Sequence, residues 1–320
     1  MNKPTVLITG ACGFVGHNLW LKFNESGYPV LGIDALYKPS SKANLDYLGQ
    51  RGLVDSNFLE CNVVSADALS FMKQAEYIIY GAVVELYTAE QYPVMAYREN
   101  VMNFTQFLFN LNHWKDKLKR LIFLSSTAVY GNPHNSNIDF TENNPYNPLG
   151  VYANTKMLQE QILIQLATKL EIPITILRLT NVYSGDHNSA DIHRNVIFKL
   201  IDQSFRGESF PVWDNGTQTR DYVHIEDVYS AIKLSFEDSG TGNIYNLGTN
   251  RQVSMNQIVA KAQTLLNCTP IYKKAELSFV KNRKINTNKF YSAFGWKPSI
   301  NILEGGLELA VEEYRQRYKI

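Results

Sequence analysis

Short apolar runs alternate with helical segments over about the first 180 residues of the chain. The runs are rich in β-branched and aromatic residues, as is typical of buried parallel strands. They lie at 5–9, 29–33, 77–80, 121–124 and 174–178. Strands that alternate with helices in this way predict an α/β fold with a doubly wound parallel sheet.

Beyond residue 184 the pattern becomes irregular. Short runs around 210–222 alternate with loops, and helical segments return at 227–236, 256–266 and 303–318. The pattern therefore predicts two domains. We assign residues 1–184 plus about 223–250 to the doubly wound domain, and residues 185–222 plus about 251–320 to a smaller mixed lobe.

Three glycines stand where the first strand gives way to the first helix. Gly10, Gly13 and Gly16 permit a tight turn, close approach of the backbone to a pyrophosphate, and close packing of helix on strand. Asp34 ends the second strand, where a carboxylate can accept both ribose hydroxyls of an adenosine and repels a 2′-phosphate. A plain structural turn is the alternative. The arrangement predicts a dinucleotide site that prefers NAD to NADP.

Tyr152 and Lys156 stand four residues apart on a predicted helix, and Ser126 lies upstream at the end of a strand. Positions i and i+4 share a helix face, so the phenol and the ammonium can converge. A nearby cation lowers the pKa of a phenol, and a serine hydroxyl can share its proton. We interpret the three residues as a device that moves a proton at a carbinol or ketone. An exposed helix pair without chemistry is the alternative.

Four residues with small or polar side chains fall at the carboxyl ends of predicted strands. They are Asp34, Ala82, Ser126 and Asn181. Ligands of doubly wound sheets gather beyond that edge, so we expect one crevice to contain all four residues.

Composition excludes several other classes of function. The net charge is +1, which argues against a nucleic acid or an anionic membrane as the main partner. No apolar stretch approaches the ~20 residues of a membrane span, and the N-terminus does not resemble a signal peptide, so we expect a cytoplasmic protein. Cys12, Cys61 and Cys268 are scattered, which predicts neither a metal site nor a disulfide.

Taken together, these motifs identify a family resemblance that runs essentially from end to end. The chain resembles the extended short-chain dehydrogenases/reductases, in the family of NAD-dependent nucleotide-sugar epimerases and dehydratases. The motifs that carry the resemblance are Gly10-x2-Gly13-Phe-x-Gly16, Asn100-Val101, the Ser-Ser-Thr-Ala-Val-Tyr-Gly of 125–131, Tyr152-x3-Lys156, and the segments 177–183, 218–224, 245–248 and 295–298.

The resemblance implies a role for each matching residue. It implies that Ser126, Tyr152 and Lys156 are catalytic and that Lys156 also binds the nicotinamide ribose. The residues that it implies for NAD are Gly10, Gly13, Phe14, Val15, Gly16, Asp34, Asn62, Val63, Gly81, Ala82, Asn100, Tyr152 and Lys156. The residues that it implies for a nucleotide sugar are Ser126, Asn181, Asn195, Val212, Trp213, Arg220 and Arg283. No metal is implied.

Two of these substrate assignments have structural alternatives. Trp213 could belong to the core of the smaller lobe, because aromatic side chains dominate cores by area. Arg220 could pair with Asp221 at the surface instead of binding a phosphate, although its guanidinium suits phosphate oxygens.

Departures from the family pattern narrow the function. Asn62 replaces the usual aspartate, and Val84 replaces a lysine of galactose-type epimerases. Related dehydratases place Asp-Glu after the catalytic hydroxyl, and related decarboxylases keep a glutamate there, because their chemistry needs an acid and a base. Here Thr127 and Ala128 occupy those positions. We therefore set dehydration and decarboxylation aside.

The resulting prediction is an NAD-dependent epimerase of a nucleotide sugar, most simply a UDP-sugar 4-epimerase that passes through a 4-keto intermediate. A 4-keto-sugar reductase and a non-catalytic NAD sensor on the same fold are the alternatives. The sugar, and the choice between UDP and dTDP, stay open. The apolar segments 104–111 and 157–166 could pair with a second copy in a homodimer or pack on the sheet of their own subunit.

Overall fold

A computed structural model describes residues 3–133, 139–188, 195–240, 242–274 and 282–320 of the chain. Among these residues the strands are β1 (Val6–Thr9), β2 (Val30–Asp34), β3 (Phe58–Glu60), β4 (Tyr77–Tyr80), β5 (Arg120–Ser126), β6 (Asp139–Phe140), β7 (Ile174–Leu179), β8 (Asn181–Tyr183), β9 (Ser209–Trp213), β10 (Thr219–Arg220), β11 (Tyr222–His224), β12 (Asn243–Leu247), β13 (Val253–Ser254), β14 (Thr269–Lys273) and β15 (Lys284–Ile285).

Helices follow most of the strands. They are α1 (Phe14–Glu25), α2 (Pro39–Gln50), α3 (Ala66–Met72), α4 (Leu86–Gln91), α5 (Pro93–Tyr97), α6 (Phe104–Leu111), α7 (Gly150–Leu170), α8 (Val196–Phe205), α9 (Ile225–Ser235), α10 (Met255–Leu265), α11 (Asn288–Phe294) and α12 (Gly306–Tyr318). One π-helical turn, Arg98–Asn103, joins α5 to α6.

A seven-stranded sheet in the order β12-β7-β5-β4-β1-β2-β3 dominates the fold. The pairings β1–β2, β1–β4, β2–β3 and β4–β5 are parallel. The chain runs outward from β1 through β2 to β3, then returns to the other side of β1 at β4. This reversal beside β1 is the doubly wound arrangement, so the predicted fold class is confirmed.

The predicted strands are found with small changes at their ends. Asp34 is the last residue of β2, and β5 extends through Ser126. Helix α1 begins at Phe14, between the second and third glycines of the turn. The outer strands β3 and β12 were not predicted. Strand β3 has only three residues, none of them buried, so it carries too little apolar periodicity to stand out.

The chain divides into two compact units. The first unit comprises Met1–Val129, Tyr146–Arg178 and Tyr229–Tyr245. An aromatic cluster lies in its core, where Tyr80 packs against Phe104 and Phe107 at centroid distances of 4.8 and 4.7 Å.

The second unit comprises Tyr130–Pro145, Leu179–Val228 and Asn246–Ile320. Its strands form two-stranded sheets, of which β8–β11, β9–β14 and β6–β15 are parallel and β10–β13 is antiparallel. Its core contains fully buried side chains from α8, α10 and α12. The unit includes residues 130–145, 179–184, 223–228 and 246–250, which the sequence pattern assigned to the first domain. The predicted division into an NAD-binding and a substrate-binding domain stays a prediction.

Two features that would indicate a membrane or metal partner are absent from the described residues. No helix there is long and apolar enough to cross a membrane. No group of three or more histidine, cysteine, aspartate or glutamate side chains there is arranged to hold a metal ion.

We expect Gly32→Ala to destabilise the protein by about 3 kcal/mol, because overpacking a tight core costs about that much. A Cβ at Gly32, in β2, would lie 1.9 Å from a ring carbon of the fully buried Trp20. Gly49→Ala in α2 is the matched control, since its Cβ would meet nothing within 4 Å; it should stabilise by about 0.5 kcal/mol. Urea unfolding of both variants measures the difference, and equal stabilities would contradict the packing described.

Candidate active site

The turn between β1 and α1 leaves no room for side chains at two of its glycines. Gly10 has a φ of +67°, and a Cβ there would lie 2.9 Å from the backbone of Ala82. A Cβ at Gly16 would lie 2.1 Å from the carbonyl oxygen of Gly10. Gly13, at the start of α1, has no side chain to cap the first helical N–H groups. Bare backbone and a helix N-terminus are what a pyrophosphate needs.

Asp34 fixes this turn from the neighbouring strand. Its two carboxylate oxygens accept the backbone N–H groups of Cys12 (2.9 Å) and Leu36 (2.8 Å). Burial raises the pKa of Asp34, and these N–H groups and the charge of Lys38 oppose that rise. An ionised carboxylate has about four acceptor positions, so capacity remains for ribose hydroxyls.

Cys12 is fully buried inside the turn, and its carbonyl accepts an N–H from Asn44 at 3.0 Å. Burial and the charge of Asp34 raise the pKa of its thiol. A buried thiol that does not ionise is a poor nucleophile, so Cys12 acts as a small spacer.

The remaining residues predicted to bind NAD lie in the same unit. Phe14 and Val15 are half-buried at the start of α1, and Gly81 and Ala82 follow β4 with their N–H groups 3.2 and 3.3 Å from the Thr9 hydroxyl. Their predicted contacts are backbone contacts, which this placement permits.

Asn100 is fully buried, and its side chain is engaged within the protein. It accepts the N–H of Val84 at 2.7 Å and donates to the Val84 carbonyl and the Thr155 hydroxyl, both at 3.0 Å. These bonds tie the segment after β4 to helix α7. The geometry therefore favours a supporting role over a direct contact with a ligand.

Asn62 and Val63 lie just beyond β3, where Val63 is 7% exposed. The Asn62 amide donates to Glu99 at 2.9 Å and its carbonyl accepts the N–H of Val64 at 3.2 Å. The negative charge that the family usually has at position 62 is thus supplied by Glu99, in the π-helical turn. Sequence reasoning missed Glu99, because its spacing from Asn62 carries no motif.

The predicted catalytic residues come together at the end of β5 and the start of α7. The Ser126 hydroxyl lies close to the Tyr152 phenol, whose pKa it lowers, and it accepts the N–H of Ala128 at 3.1 Å. Lys156 is 2% exposed, and its ammonium donates to the Leu124 carbonyl at 2.7 Å. The arrangement can exchange a proton between a phenol and a ligand oxygen.

The pKa values of this group differ from the sequence-based expectation. Burial, with a smaller contribution from the Glu85 charge, raises the pKa of Tyr152 to about 12, and the Ser126 hydroxyl opposes the rise. Burial lowers the pKa of Lys156 to about 7, against the charge of Glu160. The expectation that the lysine lowers the pKa of Tyr152 is therefore wrong for the chain alone, because burial disfavours both charged forms.

A buried ionic network lies one helical turn beyond Lys156. The Glu160 carboxylate binds the Arg178 guanidinium at 2.7 Å and accepts hydrogen bonds from the Ser125 hydroxyl and, at 2.8 Å, the Tyr146 phenol. Glu160 and Arg178 are at most 1% exposed. Sequence reasoning missed this network, although a glutamate four residues after Lys156 on one helix face was a usable signal.

In the second unit, two arginines lie near one another. Burial and, to a smaller extent, the charge of Arg220 lower the pKa of Arg283 to about 10. Burial also lowers the pKa of Arg220. Two neighbouring guanidiniums that are each partly desolvated are suited to an oxyanion.

The alternative partner of Arg220 is engaged elsewhere. Asp221 is 2% exposed and accepts the N–H groups of Thr249 (2.9 Å) and Asn250 (2.8 Å) and the Thr249 hydroxyl (2.8 Å). These bonds occupy the Asp221 carboxylate and argue against a surface ion pair with Arg220.

The other predicted substrate residues of this unit differ in exposure. Trp213 is 48% exposed, so the alternative that it belongs to the core is wrong. Val212 is 0% exposed, because alternate residues of β9 face the core. Asn181 is exposed at the start of β8. Asn195 caps α8, with its carbonyl 3.2 Å from the N–H groups of Ile197 and Phe198.

Residues 6–248 match the model of the NAD-dependent epimerase/dehydratase family. The chain belongs to this family, as the resemblance predicted, and NAD is its cofactor. The glycine turn and Asp34 fit that cofactor, because side chains are excluded where a pyrophosphate would approach and an acid follows β2.

Individual relatives cover nearly the whole chain. A protein of Methanocaldococcus jannaschii, named provisionally as a UDP-glucose 4-epimerase, is 29% identical over 308 residues, which are 94% of this chain and 95% of that protein. The human dTDP-D-glucose 4,6-dehydratase is 24% identical over 98% of this chain and 90% of its own. The structure of UDP-glucose 4-epimerase from Thermotoga maritima is 25% identical, with a TM-score of 0.82 over 98% of this chain and 99% of that one.

The lowered pKa of Lys156 makes stability depend on pH in a predictable direction. Between pH 7 and the ordinary pKa of lysine, the unfolded chain binds a proton at this residue that the folded chain does not. The free energy of unfolding must therefore rise with pH, by up to about 1.4 kcal/mol per pH unit.

We expect the Lys156→Met variant to lose this contribution, because methionine does not titrate. The difference in unfolding free energy between wild type and variant, measured by urea unfolding of NAD-free protein from pH 7 to 9, should shift in favour of wild type as pH rises. A difference that does not change with pH would show that Lys156 keeps its ordinary pKa.

Proposed function

We propose that this protein is an NAD-dependent 4-epimerase of a nucleotide sugar, with UDP as the nucleotide. The observation that carries the proposal is the joining of Ser126, Tyr152 and Lys156 at one point of the first unit, with Thr127 and Ala128 after the serine. The 4-epimerase names of two of the relatives support it.

In this mechanism Tyr152 takes the proton of the C4 hydroxyl and later returns it. Ser126 hydrogen-bonds the same substrate oxygen and shares the proton. A phenol with a pKa near 12 requires additional positive charge nearby before it can act as a base at neutral pH. When bound, NAD supplies that charge together with the hydride acceptor for C4. Lys156, held by Leu124, keeps the helix face of Tyr152 at the end of β5.

Dehydration is disfavoured by the residues after Ser126. Elimination across C5 and C6 of a sugar requires an acid and a base, and neither a threonine hydroxyl nor an alanine methyl can serve at neutral pH. Thr127 is in addition 8% exposed. The two positions after Ser126 therefore supply no proton-transfer groups for the reaction of the dehydratase relative, which favours oxidation and reduction at a carbinol.

We propose that residues 185–222 and about 251–320 bind the nucleotide sugar and that residues 1–184 plus about 223–250 bind NAD. Arg220 and Arg283 would bind the diphosphate oxygens, and the exposed Trp213 ring would lie against the base. Asn181 and Asn195 would contribute amide groups to the same diphosphate. These contacts hold the nucleotide and leave the sugar free to turn.

Proton NMR with a panel of UDP- and dTDP-sugars, and no added cofactor, tests the proposal. We expect inversion at C4 that approaches equilibrium for at least one UDP-sugar. Tyr152→Phe should lower the rate at least about 10²-fold, because it removes the general base, while NAD stays bound to the purified variant.

Two outcomes would overturn the proposal. If no sugar of the panel inverts and 4-keto sugars are consumed only with added NADH or NADPH, the protein is a reductase. A near-normal rate in Tyr152→Phe would remove the proposed base from the mechanism.

We also propose that the protein forms a homodimer through α6 and the π-helical turn that directly precedes it. Most apolar residues of α6 are buried in their own unit, as the alternative held: Phe104, Phe107 and Leu111 are 0% exposed. Met102 and Phe109 are different, with exposed fractions of 67% and 46%. They are seven residues apart and so lie on one helix face, which a second copy can cover.

Phe109→Glu should convert the dimer to a monomer, because a carboxylate would be buried without a partner in the interface. Light scattering after size exclusion measures the mass. Ile271→Glu, at an exposed apolar residue of β14 in the second unit, is the control and should leave the mass unchanged. A wild-type protein that is monomeric at all concentrations would contradict the dimer.

A further inference from the structure

We propose that Lys38 and Glu85 form a clasp across the carboxyl end of β1 that slows the release of bound NAD. The Lys38 ammonium lies 3.6 Å from a Glu85 carboxylate oxygen, and both residues belong to the first unit. The inference rests on the proposed function, because a 4-epimerase must keep its NAD from one half-reaction to the next.

Sheet order places this ion pair over the glycine turn. Lys38 follows β2 and Glu85 follows β4, and these two strands flank β1 in the parallel sheet. The segments that follow β2 and β4 leave the sheet at its carboxyl edge, one on each side of β1. An ion pair between them therefore crosses the residues that follow β1. The residues that extend β1 are the turn beginning at Gly10, where the structure leaves bare backbone for a pyrophosphate.

The backbone at both ends of the clasp is fixed. Glu85 caps α4, and its carboxylate accepts the N–H groups of Tyr87 and Thr88, each at 3.0 Å. Lys38 directly precedes Pro39, the first residue of α2, where the ring restricts the chain. Closing and opening therefore involve the side chain of Lys38 more than the backbone.

The charges nearby suit a clasp that can open. The ammonium of Lys38 acts on the charge of Asp34 as well as pairing with Glu85. The Lys38 and Glu85 side chains are 28% and 22% exposed. Such a pair is partly screened by water, so it adds a modest barrier to dissociation and no permanent closure.

The test measures NAD release directly. Purified protein is loaded with isotopically labelled NAD, and release is followed after addition of excess unlabelled NAD. Lys38→Met keeps the length of the side chain without its charge, and Glu85→Gln keeps an oxygen that can cap α4. We expect each variant to release NAD about two- to fivefold faster than wild type, the range that a partly exposed ion pair supports.

Two further variants separate a clasp from general effects of charge. In the double variant the release rate should equal that of the single variants, because two residues that act as one pair lose it only once. Lys119→Met is the control. It breaks an ion pair in which the Lys119 ammonium lies 2.7 Å from the Glu76 carboxylate. This pair directly precedes β4 and β5, at the amino edge of the sheet. The control variant should leave the release rate unchanged.

The proposal is overturned if the single variants release NAD at the wild-type rate, or if their effects multiply in the double variant. A wild type that releases labelled NAD at a slow rate but inverts no sugar would instead defeat the proposed function and leave the clasp intact. Thermal unfolding of each loaded variant identifies any rate that changes because the fold is lost, and a variant with a lowered midpoint is replaced by Lys38→Gln, for which the same increase is expected.

Discussion

The attachment of helix α7 to strand β5 is the interaction on which the candidate site depends. Three contacts in succession make it: the approach of the Ser126 hydroxyl to the Tyr152 phenol, the hydrogen bond from Lys156 to the Leu124 carbonyl, and the hydrogen bond from the Ser125 hydroxyl to Glu160. Three consecutive residues at the end of β5 thus each contact one side chain of α7, and those three side chains lie on successive turns of the helix. The position of the phenol is therefore set by the packing of the helix and not by a flexible loop.

This attachment carries an electrostatic cost. Burying Glu160 and Arg178 removes both from water, and their mutual bond with the surrounding hydroxyls offsets that cost only because the carboxylate is fully engaged. The same burial lowers the pKa of Lys156 and raises that of Tyr152. Groups whose charged forms are disfavoured in the chain alone respond strongly when a bound ligand adds charge, and perturbed values of this kind are common at functional sites.

The proposed cofactor side and the proposed substrate side are built differently. In the first unit the proposed binding surface is mainly backbone, and side chains such as Asp34 and Asn100 hold that backbone in place. In the second unit the candidate groups are side chains, above all Arg220 and Arg283.

The sequence by itself determined the fold class, the glycine turn and the candidate catalytic residues, because each rests on local spacing: strand and helix periodicity, three glycines in seven residues, and Tyr152 one turn from Lys156 on a helix. The tertiary structure decided what depends on distant segments. It paired Asn62 with Glu99 and used the side chain of Asn100 in internal hydrogen bonds. It buried Val212 and left Trp213 exposed. It also raised the pKa of Tyr152, which the sequence predicted to be lowered. Burial and pairing between residues far apart in the chain leave no periodic mark, so only the packed molecule reveals them.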